Sequence, residues 1–318
     1  MKVNLLSILI PVFNESECLP LLYAKLCEIT ATLPCETEIV FVNDGSIDDT
    51  LERLIMMRQN DSRIKVIDLS RNFGKEAAVS AGIAGVNGDA LVILDADLQD
   101  PPELIPQMLA GIEEGYDDVY GRRTARRHEN RFKRWTSRQY YRLLRAISNI
   151  EVQENTGDFR MFSSKAIAAL RQIKESERNM KGLFSYIGFR KKCIPYEQPP
   201  RAAGKTKWGY FKLLDLAIKG WTSFSVLPLR IISFTGVAVS FAALIYLLVV
   251  LFKALFFGDP VGGYPSMMCV ILFLGGFVLL ALGIIGEYLG IIYRETKKRP
   301  FYFVNKKIGD EEELKITN

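Results

Sequence analysis

The residues best suited to chemistry sit in three short polar clusters, Asn14-Glu15, Asp44-Gly45-Ser46 and Asp95-Ala96-Asp97. Each follows an apolar run: Leu5–Pro11, Glu38–Val42 and Ala90–Leu94. Asp97 and Gln99 offer hard oxygen donors, the kind that bind Mg2+ or Mn2+. A cation held there acts as a Lewis acid and a template for a departing anion. One Asp-Gly-Ser or Asp-x-Asp alone is more often a turn or a helix cap. Three such clusters, each directly after an apolar run, point instead to one crevice. The single histidine, His128, excludes Ser-His nucleophilic chemistry and multi-histidine metal sites.

The elements that must position these clusters are legible in the periodicity. Apolar runs at 5–11, 38–42, 63–68 and 90–94 read as strands. Stretches at 16–33, 48–60 and 75–86 read as helices between them. Strands alternating with helices at this spacing predict βαβ units and a mostly parallel α/β sheet. Continuous apolar strands fit a sheet covered on both faces. Ligands of such sheets bind outside the carboxyl ends of the strands, where all three clusters fall. Residues 195–207 (PYEQPPRAAGKTK) read as a linker or loop.

The second half changes character. Ile231–Phe257 and Met267–Ile292 are long apolar runs, each exceeding the roughly 20 residues needed to cross a bilayer. The loop between them, Gly258–Ser266, has no Lys or Arg, whereas basic residues cluster before the first run and after the second. The positive-inside rule then sets both termini and the catalytic domain in the cytoplasm, on a multi-pass protein of the plasma membrane. Trp208–Leu227 interleaves aromatics and lysines at helical spacing, as an interfacial amphipathic helix does. The expected organisation is a catalytic domain at 1–200, a linker and interfacial helix at 201–228, a two-helix transmembrane hairpin at 229–293, and a basic then acidic tail at 294–318. Glycines at 275, 276, 283, 286 and 290 would permit close helix packing and a homo-oligomer.

Net charge is +5 over 318 residues, and the excess lies in clusters at 122–145, 201–219 and 294–307. Local clusters point to phosphates and anionic headgroups, not to nucleic acid. The five cysteines form no CxxC pair, which fits a reducing compartment.

Ile10-Pro11-Val12-Phe13-Asn14-Glu15, Val42-Asn43-Asp44-Gly45-Ser46 and Asp95–Glu103 (DADLQDPPE) together resemble family 2, GT-A glycosyltransferases. The third segment is similar to the signature of polyprenyl-phosphate glycosyltransferases, the group of dolichol-phosphate mannose synthases and bactoprenol glucosyltransferases. Gly121-Arg122-Arg123 and Thr156-Gly157-Asp158-Phe159-Arg160 resemble two further segments of that group, and the likeness covers about residues 5–300. It implies a GT-A Rossmann-like domain and inverting transfer of a hexose to a polyprenyl (undecaprenyl) phosphate. The implied donor is a nucleotide diphosphate sugar, UDP-glucose first, with other UDP-hexoses or GDP-mannose behind it. It also implies a nucleoside pocket from Pro11, Phe13, Glu15, Asp44, Asp95 and Ala96, and a Mg2+ or Mn2+ site from Asp95, Asp97 and Gln99. Asp95 is close enough to hold the ribose or a metal-bound water.

Asp97, Asp158 and Arg123 are the expected catalytic residues, with Asp158 either a base or a positioning group. Arg123, Lys133, Arg134 and Ser137 would capture the acceptor phosphate, a task for which a basic stretch is suited. Two other readings remain open. A processive polysaccharide synthase shares the core, but its Q-x-x-R-W motif is broken here, with arginine at 131 before Arg134-Trp135. A non-catalytic nucleotide-binding scaffold would not need Asp95, Asp97 and Asp158 together.

Overall fold

The computed structural model describes residues 2–124, 156–173, 175, 180–197 and 263–309, with scattered helical positions between 229 and 256. The chain divides into two units, residues 1–209 with 299–318, and residues 210–298.

The first unit is built on one sheet. In chain order its elements are β1 (Leu5–Val12), α1 (Leu19–Thr30), β2 (Glu36–Asn43), α2 (Thr50–Asn60), β3 (Ile64–Leu69), α3 (Lys75–Gly85) and β4 (Ala90–Ile93). A short 3-10 turn (Pro102–Leu104), α4 (Ile105–Glu113), β5 (Asp118–Arg123), β6 (Thr156–Ser163), α5 (Ser164–Gln172), α6 (Met180–Tyr186) and β7 (Lys191–Tyr196) follow. The last strand is β8 (Val304–Ile308), and the strand order is β7-β5-β6-β4-β1-β2-β3-β8.

The strands and helices foreseen in the first hundred residues form at or near their expected bounds. The sheet they build is mixed rather than mostly parallel. The ladders β1–β2, β1–β4, β2–β3 and β5–β7 are parallel, while β6 runs against β4 and β5, and β8 against β3. Alternation along the central strands explains the two layers. Leu6, Ile8 and Ile10 of β1, Ile39 and Phe41 of β2, and Val92 of β4 pack in one core with α1 and α4. Leu9, Val40, Val42, Leu91 and Ile93 pack in the other with α3 and α5. Each fully buried aliphatic side chain contributes about 1.5–3 kcal/mol, so both faces must be covered.

Two boundaries differ from the sequence reading. Pro195 and Tyr196, expected in a linker, end β7. Because β7 is an edge strand, a proline is tolerated there. Residues 304–308, expected in a charged tail, pair with β3 and extend the catalytic sheet. Their apolar members, Val304 and Ile308, find cores to join.

In the second unit, α7 (Tyr264–Thr296) is one helix of 33 residues. At ~1.5 Å per residue it is about 50 Å long, more than the hydrocarbon thickness of a bilayer. Its segment Phe273–Thr296 is long and apolar enough to cross a membrane. Large apolar side chains along it, such as Phe273, Leu279 and Leu289, are exposed. The described positions between 229 and 256 are helical as well. The rest of the first apolar run, the interfacial helix at 208–227 and the acidic end of the tail lie outside the described residues.

Candidate active site

The parallel order β4-β1-β2-β3 brings the carboxyl ends of these strands to one edge. Side chains there tie the loops together. The Asn14 amide donates to Ser46 Oγ at 2.9 Å, and the Ile47 amide to Asn14 Oδ1 at 2.9 Å. The Glu15 amide donates to Thr50 Oγ1 at 3.0 Å. Asn14 takes a φ of 54°, a conformation that asparagine tolerates better than most residues. Gly45 has no alternative: its φ is 65°, and a Cβ would lie 2.4 Å from the Arg71 carbonyl carbon.

Asp44 locks the neighbouring loop by accepting the amides of Phe73 at 2.7 Å and Gly74 at 2.9 Å. Burial pushes its carboxyl above the ordinary range, against the pull of those two amides and Arg71. Of the expected pocket residues, Asp44 and Ala96 are buried, while Pro11, Phe13, Glu15 and Asp95 are partly exposed. Glu15 and Asp97 share a neighbourhood. After burial, their charges help raise the Cys18 thiol to about 11.

Asp158 reaches this edge because β6 is antiparallel to β4. The ladder ends with Ile93 beside Arg160, and just beyond it Asp95 and Asp158 meet at the same lysine. Both carboxylates converge on one ammonium. Lys75 Nζ lies 2.6 Å from Asp95 Oδ1 and 2.6 Å from Asp158 Oδ2. Burial works against the Lys75 charge, but Asp95 and Asp158 outweigh it and hold its pKa above the usual lysine value. The Lys75 ammonium is thus a cation standing between two acidic oxygen donors, with Asp97 following on the same loop. Asp95 and Asp158 are hard oxygen donors, but among the described residues no three acidic, histidine or cysteine side chains gather as a group able to hold a metal ion, so Asp95, Asp97 and Gln99 do not form a closed metal site here. Leu98 has a φ of 57°, uncommon for a bulky residue, and strain of this kind gathers at functional loops. The turn lets Asp97 Oδ1 accept the Gln99 amide at 3.1 Å.

Arg123 approaches from β5. Its Nη2 donates to Asp100 Oδ1 at 3.1 Å and its Nε to the Tyr196 hydroxyl at 3.1 Å. Tyr196 in turn donates to the same Asp100 oxygen at 2.5 Å. Burial and the Asp95 charge raise the Asp100 carboxyl, and Arg123 and Tyr196 oppose them. The other Asp100 oxygen is buried with no hydrogen-bond partner among the described residues. Gly157 leaves room for the guanidinium, since a Cβ there would lie 3.1 Å from Arg123 Nη2. Arg123 therefore lies one residue from Asp158, its orientation set by Asp100 and Tyr196. Lys133, Arg134 and Ser137 lie outside the described residues.

Sequence reasoning assigned no role to Lys75, Asp100, Tyr196 or Asn305. Lys75 opens a helix directly after the loop at the end of β3, which was a usable signal. Tyr196 and Asn305 gave none, because only the pairing of β7 and β8 brings them in. Asn305 Nδ2 donates to Asp68 Oδ2 at 2.8 Å, and Asn43 Nδ2 to Asp68 Oδ1 at 2.7 Å. The Ser46 amide then donates to Asn43 Oδ1 at 3.2 Å, so β8 supports the Asp44-Gly45-Ser46 loop.

Comparison with known proteins shows which family the chain belongs to. The profile of "Glycosyl transferase family 2" matches residues 7–171. An uncharacterized glycosyltransferase of Synechocystis sp. is 45% identical over 306 residues, covering 96% of each chain. The bactoprenol glucosyl transferase of Shigella phage SfX is 39% identical over 302 residues, covering 95% of this chain and 99% of that one. Among solved structures, mannosyl-3-phosphoglycerate synthase from Rubrobacter xylanophilus aligns over 68% of this chain and 71% of its own, with a TM-score of 0.46 and 16% identity. The matched profile begins within β1, ends in α5 and spans every described site residue but Tyr196 and Asn305; the chain belongs to glycosyl transferase family 2 and is a glycosyltransferase.

Proposed function

We propose that the protein transfers a hexose, glucose first, from a nucleotide diphosphate sugar such as UDP-glucose to polyprenyl phosphate, with inversion at the anomeric carbon. The convergence of Asp95 and Asp158 on one cation carries this reading. It occurs in a chain about 40% identical, over nearly its whole length, to bactoprenol glucosyl transferases. The acceptor in those relatives' name supports a prenyl phosphate carrier here. The apolar helix α7 supports a lipid-borne substrate at a membrane. Two membrane helices, cytoplasmic termini and the plasma membrane complete the proposed setting.

The nucleoside lies over the ends of β1 and β2, against Pro11, Phe13, Glu15, Asp44 and Ala96. Asp95, Asp97 and Gln99 are the residues that would hold a divalent ion, which would supply Lewis-acid stabilisation of the departing diphosphate. An acceptor phosphate oxygen attacks the anomeric carbon as the bond to the donor's diphosphate breaks. A phosphomonoester has a second pKa of about 6, so the nucleophile is mostly ionised already and no strong base is required. Asp158 then serves to position groups. Arg123, Lys133, Arg134 and Ser137 hold the acceptor phosphate in line with the bond that breaks.

The test is direct. Purified protein is incubated with polyprenyl phosphate and a panel of UDP-hexoses and GDP-mannose, and the lipid product is weighed by mass spectrometry. A hexosyl phospholipid made from one donor is the expected result. Nucleotide release without a glycosylated lipid would overturn the acceptor assignment.

A further inference from the structure

The chain that follows α7 returns to the sheet beside the nucleoside loops. α7 ends at Thr296, and β8 begins at Val304 and pairs with β3. Its first contact with the loops runs through Asp68, a buried carboxylate at the end of β3. Asp68 Oδ1 accepts Asn43 Nδ2 from β2 at 2.7 Å, and Asp68 Oδ2 accepts Asn305 Nδ2 from β8 at 2.8 Å. A carboxylate only accepts, so both amides must present their nitrogens to it. Asn43 is thereby fixed with its carbonyl oxygen toward the Ser46 amide, which donates to it at 3.2 Å. Ser46 Oγ accepts the Asn14 amide at 2.9 Å, so the relay crosses from β8 to the loops after β2 and β1. The β3–β8 ladder shifts register between Asp68 and Leu69, an irregularity of the kind that re-aims a side chain near a site.

The second contact is with the loop after β3. The Phe303 carbonyl accepts the Ser70 amide at 3.0 Å, and the Phe303 ring lies 6.2 Å from that of Phe73. Asp44 holds the Phe73 amide, and Gly45 lies too close to Arg71 for any Cβ. The loops after β2 and β3 are therefore packed against each other, and residues 303–305 tie down both.

We propose that Asn305, with Phe303 beside it, is a positioning residue for the nucleotide sugar. It acts through Asp68 and Asn43, which hold the loop carrying Asp44 and Ser46 in the shape that receives the nucleoside. Nucleotide affinity then depends on the segment that follows the long apolar helix. The group around Arg123 does not, because β5 lies toward the other end of the strand order. The inference rests on the proposed nucleoside pocket and adds to it a determinant from the far end of the chain.

The experiment measures UDP affinity of the full-length protein in detergent by titration calorimetry at fixed Mg2+, well below each variant's melting temperature. Asn305→Ala should weaken UDP binding about five- to tenfold, and Asn305→Asp, which sets two carboxylates face to face, should weaken it further. Phe303→Ala should have a smaller effect in the same direction. The exchanged pair Asp68→Asn with Asn305→Asp again places one amide against one carboxylate and leaves an oxygen for Asn43. It should recover UDP affinity to within about twofold of wild type. Should Asn305→Asp alone fail to fold, Asn305→Ala and the exchanged pair still decide. A lower melting temperature with unchanged UDP affinity in Asn305→Ala would overturn the proposal, since that is what a strand serving stability alone would give. An exchanged pair no better than Asn305→Asp or Asn305→Ala would overturn it too. Asp44→Asn tests the underlying reading separately. If UDP affinity survives that change, the nucleoside pocket itself is misplaced. If Asp44→Asn loses UDP and Asn305→Ala does not, only the positioning role fails.

Discussion

Glu38 and Asp95 are carboxylates at opposite ends of the same parallel strands, and each faces a lysine. At the amino-terminal edge, Glu38 Oε1 accepts the Ser7 hydroxyl at 2.5 Å and the Asn87 amide at 2.6 Å. Its Oε2 lies 2.9 Å from Lys65 Nζ, and the Gly88 amide closes the group on Ser7 Oγ at 2.9 Å. One carboxylate meets one ammonium, and fixed donors fill the other positions. At the carboxyl edge, two carboxylates meet one ammonium, and Lys75 is about twice as exposed as Lys65, 43% against 20%. Matched charge with dense hydrogen bonding makes a structural joint. Two carboxylates facing one exposed lysine head at the ligand-binding edge are the arrangement proposed above as part of the transfer site. The residue types are alike, so their count and surroundings decide the role.

Mutations should separate the two edges cleanly. The largest effect is expected from Asp97→Ala, which should lower kcat/KM by roughly a thousandfold or more, while Asp158→Asn, which removes a positioning group, should lose less and keep measurable activity. Groups acting on developing charge are worth about 10²–10³ each, and a metal ligand adds to that. Melting temperatures should hardly move. If Asp158 is a base, its variant should also lose the acidic limb of the pH–rate profile. A large loss of stability in either variant would erase the distinction between the edges.

Glu38→Ala is the converse. Removing it strands Lys65, the Ser7 hydroxyl and the Asn87 amide, and should cost about 2–4 kcal/mol of stability by denaturant unfolding. The protein that remains folded should keep its donor KM. Next in size is Arg123→Ala. Loss of a charge-assisted contact costs about 1.5–3 kcal/mol, so the acceptor KM should rise or kcat fall by ten- to a hundredfold, with UDP affinity unchanged. Matched loss of UDP binding would assign this arginine to the donor. Tyr196→Phe is subtler, because it removes one hydrogen bond to Asp100 and one acceptor from Arg123. It should weaken acceptor use about three- to tenfold, again with little change in the donor KM.

The smallest effect concerns pH. Burial pushes the Glu38 carboxyl up, but Ser7, Asn87 and Lys65 outweigh it and hold it below the ordinary glutamate value of 4.5. A carboxyl whose folded pKa is depressed stabilises the fold above its unfolded pKa and loses that contribution as pH falls through the folded one. Stability should therefore start to fall below about pH 4.5 and continue downward. Glu38→Gln should flatten this part of the pH–stability curve. An unchanged curve would show that Glu38 does not govern the closed edge.

Sequence alone was enough for the central strands, since the largely apolar runs at 5–11, 38–42 and 90–94 leave few alternatives to burial on both faces. It also located the three loops, because Asn14, Asp44 and Asp95 each follow such a run. It placed a long apolar segment at 267–292, inside the helix Tyr264–Thr296, for the same reason of composition. Tertiary structure decided the rest, through pairings between residues far apart in the chain. Only the antiparallel entry of β6 brings Asp158 to the same lysine as Asp95. Only β7, reached through segments of weak periodicity, brings Tyr196 onto Asp100 and Arg123. Only the return of 304–308 to β3 links Asn305 through Asp68 and Asn43 to Ser46. Local pattern specifies which segments are buried and where they stop, because burial is a property of the segment itself. Which ion pairs with which carboxylate depends on strand order and direction. Those are set by how all the segments bury together, and no window of the sequence contains them.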